Sequence, residues 1–199
     1  MGNAVLKKTI TEEEYFSFCE QNEGKFEFYA GEIFSMAGAM PDHNAVASAI
    51  AGEIYAQIKG RGCRIYQSDQ RLHIISAGLF TFPDISVYCD PPEYSPARRD
   101  TLINPLLVIE VLSDSTEGYD RGAKFSFYQK IPSLKEYVMA ASNDKIVEVY
   151  TRQGSNSWKV TYYSAENPAI VLNSLGITLM LEDLYSMIIV PVFDRNPGQ

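Results

Sequence analysis

One short stretch of the chain restricts the possible folds more than any other. Residues 106–112, LLVIEVL, are apolar except for Glu110. A continuous apolar run of this kind is typical of a central strand that is covered on both faces. A covered central strand needs neighbouring strands and packed layers, so the run predicts a sheet with helices on its faces.

Periodic patterns supply those other elements. Thr11 and Glu14 form a capping box at the start of an N-terminal helix, and residues 25–38 alternate around Ala30 and Gly31 as a hairpin does. Further elements are predicted in this order: a long helix over residues 41–62, strands over 63–75 and 82–88, a surface loop over 89–105, a helix with a Ser/Thr cap over 115–131, strands over 134–141, 145–152 and 157–164, and a short strand and last helix over 173–187. This order predicts a mixed α/β sheet flanked by helices, in a single domain of residues 1–199 whose C-terminal tail begins at residue 186.

The composition limits the partners. The chain has 199 residues, 46% of them apolar, and a net charge of −8 at pH 7. A protein that covers many phosphates is expected to be basic. The charge therefore argues against broad nucleic-acid binding, but it leaves open a narrow basic cleft or a metal ion that bridges to phosphate.

Nothing in the sequence indicates export or a membrane. No apolar run approaches the roughly 20 residues that cross a bilayer, and acidic residues stand where a signal peptide would be apolar. Cys19, Cys63 and Cys89 form an odd and sparse set, which fits a reducing compartment and an interpretation as small buried apolar residues. We therefore expect a soluble, cytoplasmic protein.

Two carboxylates interrupt apolar strands: Asp84 within residues 82–87, FPDISV, and Glu110 within the central strand. A buried carboxylate without a partner is unfavourable. Side chains alternate along a strand, which puts Glu110 on the face opposite to Ile109 and Val111. If the two strands are neighbours, Asp84 and Glu110 project to one point, where a divalent cation or a lysine must join them.

The helix predicted after the central strand offers that lysine. Lys124 lies one helical turn after Asp120 and Arg121 and shares an apolar stripe with Phe127 and Tyr128, so we expect it to point inward. Aspartate, glutamate and lysine side chains around Mg²⁺ form a known kind of phosphodiesterase site. The cation binds carboxylate oxygens, keeps several waters and activates one of them.

The same residues carry a family resemblance. Residues 82–87, 108–140 and 25–50 resemble the Uma-type restriction endonuclease family, which belongs to the PD-(D/E)xK nuclease superfamily. The resemblance covers about residues 9–185. It implies an α/β, restriction-endonuclease-like fold: a mixed β-sheet flanked by helices, with an N-terminal helix and hairpin.

The resemblance also implies roles for matching residues. Asp84 would be the metal-binding aspartate of the Pro-Asp motif. Glu110 would be the acid of the (D/E)xK motif, with the Val111 carbonyl as a further ligand. Leu112 stands where that motif has its lysine, and the family's lysine would instead be Lys124 in the next helix.

From the N-terminal half, the resemblance adds Glu32 and His43 to the site. It implies Mg²⁺ or Mn²⁺ as the cofactor, DNA as the substrate, and hydrolysis in which a Mg-bound water attacks phosphorus. A homodimer is also expected, because nucleases of this class often cut two strands with two sites. The apolar residues 185–193 could pack against a second subunit.

Each residue has a structural interpretation as well. Asp84 can cap a turn, and Glu110 can be a neutral or ion-paired core residue. Lys124 and Glu32 can be solvated surface residues, and His43 can cap a helix. Two other functions stay open on the sequence alone: a catalytically silent binding or assembly module with the same fold, and metal-dependent hydrolysis of a phosphate ester that is not a nucleic acid.

Overall fold

The computed structural model describes residues 9–113 and 117–188. The first half of the chain forms α1 (Glu12–Gln21), β1 (Phe26–Tyr29), β2 (Glu32–Ser35), α2 (Pro41–Ile58), β3 (Arg64–Gln67), β4 (Arg71–Ile74), a 3₁₀ turn (Ile75–Ala77), β5 (Leu79–Thr81), β6 (Ile85–Tyr88) and β7 (Thr101–Leu102). The second half forms β8 (Leu107–Leu112), α3 (Glu117–Tyr119), a π-helical turn (Asp120–Lys124), α4 (Phe125–Tyr128), β9 (Glu136–Ala141), β10 (Val147–Arg152), β11 (Trp158–Tyr163), β12 (Ala169–Leu172), β13 (Ile177–Met180) and α5 (Leu181–Leu184).

The main layer is a six-stranded mixed sheet with the strand order β11-β10-β9-β8-β6-β3. β8 is the apolar strand, and all of its residues are buried. It runs parallel to β9 and antiparallel to β6, so it lies inside the sheet as its composition predicts. The mixed α/β fold predicted from the sequence is confirmed.

The two faces of β8 enter different cores. Ile109 and Val111 pack in the cluster that contains Ile50 and Ile54 of α2. Val108, Leu112 and their neighbours pack against residues of α4 and β9 on the other face. The alternation predicted from the sequence therefore holds, and it puts Glu110 on the α4 side of the sheet.

A second sheet has the strand order β2-β1-β5-β4-β7. The predicted capping box starts α1, and the predicted hairpin turns at Ala30 (φ 51°) and Gly31 (φ 79°). Part of the predicted surface loop 89–105 forms β7, which extends this sheet by pairing with β4. The strand β5 passes through residues 82–84 directly into β6, which joins the two sheets next to Asp84.

The prediction that the cysteines are small buried apolar residues is wrong for two of the three. Cys63 and Cys89 are joined by a disulfide, and Cys19 is free. The register of β3 and β6 explains the pair, because Arg64 lies opposite Tyr88 and the next residues outward are the two cysteines. The spacing along the chain carries no sign of this register.

Some predictions fall outside the described ranges. They include the Ser/Thr cap of the helix over 115–131, most of the apolar stretch 185–193, and the end of the C-terminal tail. Among the described residues, no helix combines the length and the apolar character needed to span a membrane.

Candidate active site

The candidate site lies where β6 and β8 run side by side. Ile85 of β6 lies opposite Ile109 of β8, and this register sets Asp84 beside Glu110. The backbone N–H of Asp84 donates to Glu110 Oε2 at 3.3 Å. The structure thus brings together the two strand carboxylates that sequence reasoning singled out.

Asp84 is anchored at one of its oxygens. Its Oδ2 accepts a hydrogen bond from the Val111 N–H at 2.8 Å and lies 3.1 Å from His43 Nε2. Burial raises the pKa of Asp84, but the hydrogen bond and charge of His43, the Val111 N–H and the charge of Lys124 outweigh burial, and the pKa is lowered. Asp84 is therefore ionised at neutral pH.

His43 reaches this aspartate from the first turn of α2, where Pro41 is the first residue. The hydrogen bond to Asp84 raises the pKa of His43, and burial only partly opposes it. Within the described residues, His43 Nδ1 is buried without a hydrogen-bond partner. His43 thus contacts the site through Nε2 alone and favours the charged form of Asp84.

Glu110 is 3% exposed and lies deeper than Asp84. Its Oε1 accepts a hydrogen bond from the Tyr128 hydroxyl at 2.5 Å and lies 2.8 Å from Lys124 Nζ. Burial raises the pKa of Glu110 to about 8, against the opposing charge of Lys124. A cation placed at Oε2 would favour the ionised form of this acid.

Lys124 comes from the π-helical turn Asp120–Lys124. Such turns are rare and frequently occur at functional sites. Lys124 Nζ also lies 3.5 Å from Asp120 Oδ1. Burial lowers the pKa of Lys124, but the charges of the surrounding acids outweigh burial, and the pKa is raised. Lys124 is therefore a buried and charged ammonium, not a solvated surface lysine.

Sequence reasoning missed two residues of the site. Tyr128, which it placed only in an apolar stripe, lies one turn after Lys124 and holds the same oxygen of Glu110. Glu27 of β1 accepts a hydrogen bond from Thr81 of β5, and β5 leads directly to Asp84. The signal for Glu27 was present in the sequence, since an acid between two phenylalanines is the same pattern that singled out Asp84.

The structure does not bring Glu32 to this site. Glu32 is exposed beside the hairpin turn and lines a different cavity, together with Phe18 and Ile33. It belongs to β2, which is an edge of its sheet, whereas β1 pairs with β5 and so lies nearer to Asp84. The hairpin therefore contributes Glu27 in place of Glu32.

A cavity of about 420 Å³ collects these side chains. Its charged and titratable lining residues are Glu27, His43, Asp84, Glu110, Tyr119, Asp120 and Lys124. Four acids thus face one lysine and one histidine, and this excess of negative charge favours a cation.

The donor set fits a hard divalent cation. Within residues 9–113 and 117–188, no three His, Cys, Asp or Glu side chains are grouped as a complete metal site. Mg²⁺, however, commonly binds through one or two carboxylates and keeps several waters. Asp84 and Glu110 offer that pair, and Oε2 of Glu110 is the oxygen on the Asp84 side.

The mixed sheet with helices on its faces has a nuclease-like fold. The fold is similar to a crystal structure from Anabaena variabilis ATCC 29413, described as "a putative nuclease belonging to DUF820". The two share a TM-score of 0.70 and 20% identity, over 89% of this chain and 98% of that one. At this identity the likeness shows the fold alone.

The family model of Uma2, described as "Putative restriction endonuclease", matches residues 12–182, and the chain belongs to this family. Two proteins of Synechocystis sp. PCC 6803 are similar to it as well. The uncharacterized protein slr1290 is 32% identical over 88% of this chain and 91% of its own length. The uncharacterized protein sll1609 is 34% identical over 85% of this chain and 96% of its own length. The family predicted from the sequence is confirmed.

Proposed function

We propose that the chain is a metal-dependent endonuclease that hydrolyses phosphodiester bonds in DNA. The observation that carries the proposal is the convergence of Asp84, Glu110 and Lys124 in one acidic cavity, in a member of a restriction endonuclease family. Structural interpretations fit this arrangement less well, since two adjacent acids around a buried lysine are a costly way to build a core.

Asp84 and Glu110 would hold Mg²⁺ or Mn²⁺, with the Val111 carbonyl as a further oxygen ligand. When bound, the cation would supply neutralisation of phosphate charge and a lowered pKa for a water. His43 keeps Asp84 ionised and oriented through the 3.1 Å contact. Tyr128 fixes the rotamer of Glu110 through Oε1, which leaves Oε2 for the cation.

Lys124 would act on the phosphate. Its ammonium stays charged and is held 2.8 Å from Glu110, so it needs little reorganisation during the reaction. A preorganised positive charge stabilises the negative charge that develops on phosphorus oxygens, and the effect is strong where water is excluded. The lysine side chain is 8% exposed, which provides such an environment.

The first test is metal binding. Titration of Mn²⁺, followed by its electron paramagnetic resonance signal, is expected to show a site in the wild type that Glu110→Ala removes. Asp183→Asn, at an exposed acid of α5, is the matched control and is expected to bind as the wild type does. Equal binding by Glu110→Ala would refute the assigned ligand.

The second test is cleavage. A supercoiled plasmid with Mg²⁺ or Mn²⁺ is expected to be nicked by the wild type and not by Asp84→Ala. Persisting activity in Asp84→Ala would end the role proposed for that residue. Metal binding without cleavage of any DNA would favour the silent binding module over the nuclease.

A homodimer belongs to the same proposal, because two copies would place two sites on one DNA. Sedimentation velocity of the full chain is expected to give the mass of a dimer. A monomer at micromolar concentration would remove this part of the proposal without affecting the site.

A further inference from the structure

Within residues 9–113 and 117–188, the lining of the cavity around Asp84 offers few of the cations with which nucleases follow a duplex. Duplex binding depends on lysines and arginines that neutralise successive phosphates. Among the described residues that line the cavity, the cations are Lys124 and His43. Their side chains are 8% and 12% exposed, and each is paired with a carboxylate, so neither is available to follow a backbone.

Arg121, the arginine nearest to Lys124 in the sequence, is also paired with carboxylates. Arg121 follows Asp120 in the π-helical turn, and its guanidinium binds both Glu117 and Glu148. These ion pairs tie the turn to β10. Arg121 is therefore part of the support for Lys124, and it adds little positive potential at the mouth.

The exposed parts of the lining carry no charge and are mostly apolar or aromatic, with Ser35 as a polar exception. Tyr119 is 43% exposed, and Met40 is 71% exposed, and both line the cavity. Tyr119 comes from α3 and Met40 from the segment between β2 and α2, so two separate elements contribute them. An aromatic ring offers a surface on which any base can stack, and methionine adapts to flat partners.

The acids lie below this mouth. Glu110 is 3% exposed as a residue, and the side chain of Asp84 is 19% exposed. A phosphate must therefore enter the cavity to reach both carboxylates. A nucleotide inside a duplex is held by pairing and stacking, whereas an unpaired nucleotide can leave the stack and enter a pocket. A volume of about 420 Å³ lies in the range of pockets for small ligands.

We propose that the site accepts single-stranded or locally unpaired DNA, with Tyr119 and Met40 as the surface on which bases next to the scissile phosphate stack. This inference rests on the proposed nuclease function and specifies its substrate. The affinity for DNA then comes from base stacking and from the metal site and not from many phosphate contacts. This explains how a nuclease can have a net charge of −8. The segment 36–40, which lines one wall, and α3 on the other wall flank the entering strand.

The test compares three substrates with the full-length wild type and Mn²⁺: a labelled single strand, its perfect duplex, and that duplex with a central unpaired bubble. The single strand and the bubble are expected to be cut at least about 10-fold faster than the duplex. Tyr119→Ala is expected to raise KM for the single strand about 10-fold, the effect of one lost stacking contact. Tyr119→Phe keeps the ring and is expected to behave as the wild type.

Salt dependence gives a second readout. With one or two phosphates neutralised, log KM is expected to rise with log salt with a slope of about 1, because each phosphate contributes about 0.7 on a single strand. Faster cleavage of the duplex, an unchanged KM in Tyr119→Ala, or a slope of about 5 or more would each overturn the inference.

Fluorescence anisotropy with the same three DNAs separates this inference from the proposed function. Binding of the single strand through Tyr119 without cleavage would support the substrate class and reject the nuclease chemistry. Cleavage of duplex and single strand at equal rates would do the reverse. Absence of both binding and cleavage would reject both.

Discussion

Two buried glutamates on adjacent parallel strands meet different surroundings. Glu110 of β8 is 3% exposed and Glu136 of β9 is 0% exposed. Among the residues that the structure describes, the donors to Glu136 are neutral: the Thr151 hydroxyl and the Asn173 N–H at Oε1, and the Ser174 N–H and hydroxyl at Oε2. Glu110 shares one oxygen between a tyrosine and a lysine and turns the other toward Asp84.

Burial alone does not distinguish Glu110 from Glu136, because both are almost fully buried. Each oxygen of Glu136 accepts two hydrogen bonds, and those from Asn173 and Ser174 tie the β12–β13 turn to the main sheet, which is a structural use of a carboxylate. Glu110 instead lies beside a second acid and a charged lysine, on the wall of a cavity. The type of partner and access to the cavity separate Glu136 from Glu110, the proposed metal ligand.

The largest expected difference is in catalysis. Glu110→Gln is expected to lower the rate of DNA cleavage at least about 10³-fold, because a bound metal ion contributes several kcal/mol to the transition state. Glu136→Gln is expected to stay within about threefold of the wild type. Single-turnover rates with saturating Mn²⁺ measure both, and a similar loss in the two variants would erase the distinction.

The effect of Glu136 is expected in the stability of the fold. Glu136→Ala leaves the donors of Thr151, Asn173 and Ser174 without their acceptor and is expected to lower the free energy of unfolding by about 3 kcal/mol. Urea unfolding followed by circular dichroism measures this loss. A midpoint equal to that of the wild type would show that water replaces the carboxylate at no cost.

The free energy of unfolding is expected to depend on pH through the raised pKa of Glu110. The unfolded chain releases the proton of Glu110 near pH 4.5, whereas the folded protein keeps it to about pH 8. Raising the pH through this window therefore favours the unfolded state, and metal-free wild type is expected to lose stability there. Glu110→Gln cannot titrate and is expected to give a flatter profile. Parallel urea profiles for the two proteins between pH 5 and pH 8 would contradict this.

The smallest expected effect concerns the hydroxyl that holds Glu110. Tyr128→Phe is expected to weaken Mn²⁺ binding about 10-fold, since groups that orient metal ligands typically contribute this much or more. Tyr137→Phe is the matched control, because Tyr137 is also buried but its hydroxyl donates to the Asp120 carbonyl. Equal affinities of the two variants for Mn²⁺ would show that the Tyr128 hydroxyl does not orient Glu110 for metal binding.

Much of the site follows from local rules. The apolar run around Glu110 predicts a central strand, and alternation predicts the face that Glu110 occupies. The sequence predicts that Asp84 converges on it if the two strands are neighbours, and the pairing of β6 with β8 fulfils that condition. Lys124 follows because a helix repeats its face every three to four residues, which puts it on one stripe with Phe127 and Tyr128; the hydrogen bond from Tyr128 to Glu110 does not follow from that spacing.

The remaining parts depend on contacts between distant segments. Glu27 enters the cavity because β1 pairs with β5; the sequence marks Glu27 as an acid among apolar residues, but it does not show this pairing. The disulfide depends on the register of β3 and β6. The π-helical turn at Asp120 is a local deviation that helical periodicity does not encode. Each of these is decided by tertiary packing.

The connection from β5 to β6 has a mechanical consequence. Residues 82–84 are one of the short connections between the five-stranded sheet and the six-stranded one, and Asp84 is the last of them. Shear between the two sheets would displace Asp84 relative to Glu110, which is fixed inside β8. An ion bound by both carboxylates would link the connection between the sheets to β8. Binding of the ion would therefore restrict movement of one sheet relative to the other, and loss of the ion would allow it.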